Sequence, residues 1–499
     1  MSQIPAFLWL ILLPLLASPV IYLLGRLFRK PGLARIPYLA AVLVLAASLA
    51  PFVLAARALG AGETLHYELG SISLHMDGLG LLLAAVALGL GGLVALYSGP
   101  YLSKEDGQEK FYAMLVLMIS MIIGLGCATD LFNLWIWFEA MAVTSYLLVA
   151  FYRTQAASLE AGFKYLVQSA AGSVLVVVGI AIIFGATGTL DLAGIRAAAP
   201  APILIAAGAL FVIGFGVKSA LVPMHTWLPD AHSQAPSGIS AMLSGVVIEA
   251  GLVALLRSLG ALFAVSASWP ALLVGFGALN MLVGNLMALR QKQVKRLLAF
   301  SSVAHMGYML LGLGITFYSG QVAGAQGSMF HLFNHGLMKG LAFLSAGILL
   351  YTLYIARSHH GPLMIEDLAG AATRYPLAAL TFSMAVLALG GLPPLAGFMS
   401  KWQIFVAGFQ THNIWLETMV IFGALNSVLS LVYYAPLVNA MYRLKPSAKV
   451  REGGRAPWVM SIPLVILGLA IVVLGVWPSL MSWLTEPAAR SLLAVLAGQ

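Results

Sequence analysis

Runs of about 20 apolar residues recur from one end of the chain to the other, which is the length an α-helix needs to cross a bilayer. Short segments rich in glycine, proline or charge separate these runs. The pattern predicts an all-α polytopic membrane protein with about fourteen transmembrane helices and no separate soluble domain. The predicted spans start near residues 5, 36, 78, 111, 131, 161, 202, 237, 268, 297, 326, 376, 418 and 457.

Composition supports this class and narrows the chemistry. Of 499 residues, 61% are hydrophobic and 9% are charged, whereas a soluble domain carries roughly 25% charged residues. The single cysteine, Cys127, excludes an iron–sulfur cluster, a thiolate zinc site or a disulfide within the chain, so we expect no cofactor here. The opening stretch 4–24 lacks a basic region and a cleavage site, which predicts a first span and not a removed signal peptide.

The net charge of +9 is distributed by side of the membrane. Nineteen lysines and arginines, Lys295 among them, fall in loops after odd-numbered spans or at the adjoining helix ends. The opposite side holds only Arg57, Arg196, Arg257 and Arg490. Because positive loops stay in the cytoplasm, this distribution predicts that both termini lie on the non-cytoplasmic side. The positive charge therefore reflects topology, and nucleic acid is not an expected partner.

Five charged residues lie inside predicted spans. Lys218, Lys339 and Lys401 sit deep in apolar runs, where a lysine costs roughly 2.5–3.5 kcal/mol on insertion scales. The two carboxylates are Glu139 in the fifth span and Glu249 in the eighth. We expect Lys218 to be the partner of Glu139, and such a buried pair can pass a proton because burial disfavours both charged forms. The alternative is a static ion pair that docks two helices.

Two of the predicted spans are interrupted near mid-membrane. Lys218 lies in the segment Gly214–His225, which has glycines before the lysine and Pro223 after it. Lys401 ends the segment Gly390–Lys401, which contains two consecutive prolines. Paired glycine- and proline-interrupted spans, each with a lysine, are typical of an inverted-repeat transporter.

The eleventh span places His331, His335 and Lys339 four residues apart on one helix face. The two histidines could bind a metal, but no third ligand is evident, so no metal site is predicted. They could also be packed, hydrogen-bonded residues without a role in transport. A proton relay is favoured because histidine titrates near neutrality and a lysine lies one turn further on. His305 in the tenth span and His225 beside the seventh extend the candidate set.

Four long motifs carry a resemblance to a known family, and the resemblance extends from about residue 77 to about residue 440. They are Lys218–Gly245, Gln293–Tyr308, His331–Leu344 and Gly391–Lys401. The chain resembles the antiporter-like proton-translocating membrane subunits, which comprise the large pump subunits of complex I, the multisubunit cation/proton antiporters and the membrane-bound hydrogenases.

This resemblance implies an architecture. Three helices in residues 1–110 would precede two inverted five-helix repeats, helices four to eight in 111–262 and nine to thirteen in 268–444. Each repeat would contain a broken helix and a half-channel, and a C-terminal helix in 457–499 would follow. The protein would be a multi-pass protein of a prokaryotic-type inner membrane.

The resemblance also implies roles for single residues. Glu139 and Lys218 would form the coupling pair of the first half-channel, and Lys401 would be the terminal lysine of the second. Lys339 and the histidines would link them. Glu249 departs from the family pattern, because the eighth helix usually carries a lysine or histidine there. The order of proton transfer through the centre is therefore open.

The leading hypothesis is a proton-translocating subunit of a complex I-like redox pump, with two half-channels joined by a hydrated central axis. The alternatives are a subunit of a sodium/proton antiporter, a membrane subunit of a hydrogenase or inorganic-carbon uptake complex, and an accessory scaffold. The density of intramembrane charge argues against the scaffold. Expected partners are other membrane subunits, the lipid bilayer and protons, with sodium as a further candidate.

Overall fold

A computed structural model describes residues 5–28, 35–70, 72–357 and 361–497. These residues are mostly helical, with one β-hairpin, and twelve of their helices are long and apolar enough to cross a membrane. This confirms a multi-pass, all-α membrane protein. Arg29 and Lys30, which contribute to the charge asymmetry, lie outside the described residues.

The N-terminal half alternates long helices with a few short ones. In chain order its elements are α1 (Ala6–Leu27), α2 (Ile36–Ala47), α3 (Leu49–Gly60), β1 (Leu65–Leu69), β2 (Ile72–Met76), α4 (Gly78–Tyr101), α5 (Gln108–Cys127), α6 (Leu131–Val149), α7 (Ala156–Thr187), α8 (Leu192–Ala197), α9 (Ile203–Lys218), α10 (Trp227–Gln234), α11 (Ser237–Met242) and α12 (Ile248–Ala261). The two strands pair antiparallel, with Leu65 opposite Met76.

The C-terminal half continues in the same way. Its helices are α13 (Trp269–Leu289), α14 (Val294–Ser319), α15 (Val322–Leu353), α16 (Pro376–Gly390), α17 (Ala396–Phe409), α18 (Ile414–Arg443), α19 (Ala448–Glu452), α20 (Ser461–Val476) and α21 (Ser482–Ala497). Residues 457–499, predicted as one helix, thus contain two helices, α20 and α21. The hydropathy pattern does not indicate α21, because its sequence is only moderately apolar.

Local sequence explains where several spans begin and end. The carboxylates of Asp77 and Asp130 accept backbone N–H bonds at the start of α4 and α6, as N-cap residues do. Helices α7 and α14 end at Gly188 and Gly320, which adopt the left-handed conformation common after a helix.

Both predicted interruptions are present. The chain leaves helical geometry between the end of α9 at Lys218 and the start of α10, and again between the end of α16 and the start of α17. Gly391, at the second interruption, has a φ of 81°, which favours glycine. The count of fourteen spans and the inverted repeats stay predictions.

The centre of the bundle is formed by α12, α14 and α15. The apolar windows of the α11–α12 span and of α14 are entirely buried, and that of α15 is 89% buried. A five-residue π-helical turn, Leu243–Val247, joins α11 to α12. There a methyl group on Gly245 would lie 3.0 Å from the Cα of Gly336 on α15. This close approach allows Glu249, one turn after Gly245, to contact His335, the neighbour of Gly336.

Candidate functional site

Lys218 occupies the C-terminal end of α9 and is 1% exposed. Its ammonium group donates hydrogen bonds to the Tyr165 hydroxyl at 2.8 Å and to the Ser169 hydroxyl at 3.3 Å. Both partners lie on α7, one turn apart. The partial negative charge of a helix C-terminus also favours a cation at this position.

Aromatic rings line this lysine. The Nζ atom lies 4.3 Å from the centroid of the Tyr165 ring, 5.8 Å from that of Phe138 and 6.0 Å from that of Trp227. Trp227 stacks on Tyr165 with centroids 3.8 Å apart, and its Nε1 donates to the Val217 carbonyl. Ring faces attract cations, so these rings offset part of the cost of burying the charge.

Glu139, the predicted partner of Lys218, is half-buried on α6. Within the described residues it forms no ion pair with Lys218, and its buried Oε1 has no hydrogen-bond partner. The carboxylate nevertheless acts electrostatically on both Lys218 and Tyr165. Glu139 follows Phe138, whose ring centroid lies 5.8 Å from Lys218 Nζ, so the carboxylate acts on the lysine through space and not by direct contact.

Glu249 and His335 form a direct pair at the centre of the bundle. Glu249 Oε1 lies 2.8 Å from His335 Nδ1, and both side chains are fully buried. The far atoms of the pair, Glu249 Oε2 and His335 Nε2, make no hydrogen bond with the described residues. On the other side, a methyl group on Gly251 would lie 3.1 Å from the Cβ of Lys218. Helix α12 thus packs against the end of α9 at Gly251, while the ring of His335 contacts those of His305 and His331.

The three central histidines form a contiguous row, which we call the histidine row (His305, His331 and His335). The rings of His335 and His305 lie 5.2 Å apart between centroids. His305 Nδ1 is 3.0 Å from His331 Nε2, and His331 Nδ1 is 2.8 Å from the Ser400 hydroxyl. Because a hydrogen bond between two imidazoles holds one proton between two nitrogens, His305 and His331 can exchange a proton directly. His335 joins the row by ring stacking, without a hydrogen bond to His305 among the described residues.

Lys401 follows Ser400 on α17 and is 2% exposed. Its Nζ donates to the Leu389 carbonyl and to the Ser427 hydroxyl, both at 2.8 Å. It also lies 4.5 Å from the centroid of the Tyr308 ring, which contacts His331. The Leu389 carbonyl is available because α16 ends one residue later, so the helix break itself supplies a ligand for the lysine.

Lys339 lies one turn beyond His335 but does not extend the histidine row. Its Nζ donates to the Leu298 carbonyl and to the Ser301 hydroxyl on α14, and Ser301 in turn contacts Tyr434. His225 lies apart from these groups. Its ring contacts Phe300, and its buried Nδ1 has no hydrogen-bond partner among the described residues.

Sequence reasoning missed two further buried titratable residues, Lys295 and His232. Lys295, counted there as a helix-end cation, is 3% exposed and donates to the Ala235 carbonyl. His232 is fully buried and bonds to Ser244. Both lie inside the motifs that carry the family resemblance, which was the available signal. Within the described residues, no group of three or more His, Cys, Asp or Glu side chains could hold a metal ion.

Comparison with known proteins shows which family this chain is similar to over most of its length. The family model described as NADH:quinone oxidoreductase/Mrp antiporter, TM, matches residues 128–430. F(420)H(2) dehydrogenase subunit N of Methanosarcina mazei is 33% identical over 93% of this chain and 94% of its own length. NADH-quinone oxidoreductase subunit N of Desulforudis audaxviator is 33% identical over 87% of this chain and 90% of its own.

A solved structure also matches the fold of this chain. A chain of an archaeal respiratory membrane complex, the membrane-bound sulfane sulfur reductase, superposes with a TM-score of 0.87 at 29% identity. The match covers 99% of this chain and 100% of that one. The chain described here therefore belongs to the NADH:quinone oxidoreductase/Mrp antiporter family of membrane proteins.

Proposed function

We propose that this chain is the proton-translocating subunit of a complex I-like, redox-driven pump. The observation that carries the proposal is the succession of buried titratable groups between the two helix breaks, from Lys218 to Lys401. No soluble or structural role requires such a succession, since intramembrane ionisable residues are costly and mark ion pathways.

The proposed path has three parts. At one end Lys218 responds to the charge of Glu139, and α12, the helix that carries Glu249, packs against the Cβ of Lys218 at Gly251. The pair passes a proton to the histidine row. Ser400 then connects the row to the region of Lys401. Each of these groups can accept or release one proton, so in this proposal protons move between Lys218 and Lys401 through them.

Glu249 gives the centre a property that a lysine would not. Together with His335 it forms either a neutral acid–imidazole pair or a carboxylate–imidazolium pair, and neither form has net charge. A proton arriving from either side then makes the centre positive for the duration of the transfer. The centre is therefore a link between the two lysines and not a third store of positive charge.

The two helix breaks support a division into two half-channels. We infer that residues 111–262 and 268–444 form inverted repeats, with Lys218 beside the break of the first and Lys401 beside that of the second. The arginine and lysine distribution favours both termini on the non-cytoplasmic side of a prokaryotic-type inner membrane.

The energy source would lie in partner chains. The relatives named above are dehydrogenase or oxidoreductase subunits, so we propose that redox cofactors belong to other subunits and that this chain holds none. Other membrane subunits would then pack against its exposed apolar flanks, and lipid would cover the rest.

The test is to isolate the chain with its native partners and measure transport. The complex, captured by a tag on this chain, is identified by mass spectrometry, and inverted membrane vesicles are supplied with NADH or reduced F420. The proposal predicts flavin- or quinone-linked partner subunits and donor-driven acidification of the vesicle interior that does not require sodium. Sodium-dependent proton exchange without any electron donor, in a complex lacking redox subunits, would instead identify an antiporter.

A further inference from the structure

A polar cavity of about 740 Å³ opens on the lysine- and arginine-rich face of the protein. It lies between the end of α1, the start of α2, the α4–α5 connection and the α6–α7 connection. Small-molecule sites enclose roughly 300–1,000 Å³, so this cavity has room for a compact polar group. None of the residues on the path from Lys218 to Lys401 lines it. The proposed function therefore gives this cavity no role.

Charges of both signs line this cavity. Among the described residues there are three cations and three carboxylates, namely Lys104, Lys110, Arg153, Glu105, Asp106 and Glu109. Within the described chain, Lys110 and Arg153 form no ion pair with Asp106 or Glu109. Opposite charges that face one cavity without pairing leave space between them. That space is complementary to a ligand that itself carries a positive and a negative group.

Close packing of α1 on α5 fixes one wall of the cavity. A methyl group on Gly25 would clash with the Cβ of Glu109. Further along the same two helices, the Ser18 hydroxyl donates to the Ala113 carbonyl at 2.9 Å. The backbone at Glu109 is therefore held in place, and its half-buried carboxylate lines the cavity from a defined position.

The cavity borders the outward-facing edge of the bundle. Only 39% of the apolar window of α1 and 22% of that of the α2–α3 span are buried. Phe28, which follows α1 and lines the cavity, is exposed. Phe151, on the opposite wall, packs edge-on against Phe111. Aromatic and basic residues at the ends of spans mark the level of lipid headgroups. A lipid beside α1 and α2 can therefore place its headgroup in this cavity.

We infer that this cavity binds a phospholipid whose headgroup carries a phosphate and a primary ammonium, as phosphatidylethanolamine does. Lys110 and Arg153 donate to the phosphate oxygens, and the carboxylates of Asp106 and Glu109 accept from the ammonium, which has three donors. A quaternary choline nitrogen has no donor for these carboxylates. An anionic headgroup without an amine would bring them no counter-charge. The bound lipid would join α1 and α2 to the connections before α5 and α7, whatever the chain transports.

The test measures how lipid protects a thiol at the cavity, with the assembled complex in nanodiscs of defined composition. Cys127 is the only cysteine of the chain and is buried, so a Cys127→Ser background with Thr154→Cys places one accessible thiol on the cavity wall. A neutral thiol reagent should label it about tenfold more slowly in phosphatidylcholine with phosphatidylethanolamine than in phosphatidylcholine alone, because charge-assisted hydrogen bonds hold the headgroup. Glu366→Cys, exposed and outside the cavity, should show equal rates. Mass spectrometry of this chain reports the labelling.

Two charge-neutralising variants locate the interaction. Lys110→Gln removes a donor to the phosphate, and Glu109→Gln removes an acceptor of the ammonium while it keeps the Cβ that packs on Gly25. In the Thr154→Cys background, each variant should lose most of the protection by phosphatidylethanolamine. Lys292→Gln, at an exposed lysine outside the cavity, is the matched control and should keep it.

Protection by phosphatidylethanolamine that both cavity variants lose and Lys292→Gln keeps supports the inference. Equal labelling rates in the two lipid mixtures, or loss of protection in Lys292→Gln as well, would overturn it. Equal protection by phosphatidylglycerol would show a general phosphate site in which the carboxylates take no part. Protection in phosphatidylcholine nanodiscs by soluble glycerophosphoethanolamine, as strong as that by the lipid, would show a site for a solute. These last two results would also overturn the inference, and none of the measurements depends on proton transport.

Discussion

The two lysines at the helix breaks are held in different ways. Lys218 closes the helix before its break and is surrounded by hydroxyls and three aromatic rings, with the carboxylate of Glu139 acting on it through space. Lys401 lies in the helix after its break and is held by a carbonyl that the break frees, by Ser427 and by the Tyr308 ring. Within the described chain, no carboxylate pairs with Lys401.

This difference suggests what each end of the path does. Lys218 has a nearby acid, so a change in the charge of Glu139 alters the tendency of Lys218 to hold its proton. Lys401 has only neutral ligands and the histidine row beside it, so its charge responds mainly to protons that arrive along the row. Lys218 is therefore expected to respond to the charge of Glu139, and Lys401 to protons that arrive from the histidine row.

The largest effect is expected from Lys218→Met, which replaces the lysine with an unbranched side chain of similar length that cannot carry a proton. Proton translocation should fall about 100-fold or to background, while the complex remains assembled. The measurement is donor-driven acidification of inverted vesicles, with subunit composition checked in parallel. Lys104→Met, at an exposed lysine, is the control. An equal loss of proton translocation in this variant would indicate that the effect comes from lower expression and not from the path.

The next largest effect is expected from Glu249→Gln. The amide keeps the shape and can still contact His335, but it cannot carry a proton, so translocation should fall about tenfold. Vesicle acidification per electron measures this effect. Glu366→Gln, at an exposed glutamate, controls for a general effect of charge removal, and wild-type pumping by Glu249→Gln would make the central pair structural.

A smaller effect is expected from Glu139→Gln. Because Glu139 is coupled to Lys218 through space and not by contact, its neutralisation should lower translocation by about threefold to tenfold. Glu139→Asp, which keeps the charge, should recover most of the rate. An equal loss of translocation in both variants would indicate that Glu139 acts through its packing and not through its charge.

The smallest effect on transport is expected from Asn280→Ala at the first break. This variant should instead lower the stability of the protein measurably. The Asn280 side chain accepts from Val222 N and donates to the Ala220 and Val303 carbonyls. Asn280→Ala should lower the free energy of unfolding by about 1–3 kcal/mol. At the second break the Asn334 side chain makes one hydrogen bond with the described residues, to the Ala396 carbonyl, so Asn334→Ala should cost less in the same thermal unfolding assay.

The sequence predicted the fold class, an all-α multi-pass membrane protein, because membrane insertion imposes a length and an apolar content on each span. It located both helix breaks, since glycine and proline act locally. It could not show that Lys218 bonds to Tyr165, because that contact joins α9 to α7 across 53 positions. It also counted Lys295 as a helix-end cation, because position in the chain does not reveal that the α10–α11 connection covers this helix end.

The central claim is that Lys218 and Lys401 serve one path in series. The most direct test compares protons translocated per electron for Lys218→Met, Lys401→Met and the double variant in inverted vesicles of the assembled complex. The series arrangement predicts that each single variant falls to the level of the double variant. Two single variants that each keep about half of the wild-type ratio, with loss only in the double, would show two independent channels and contradict the account.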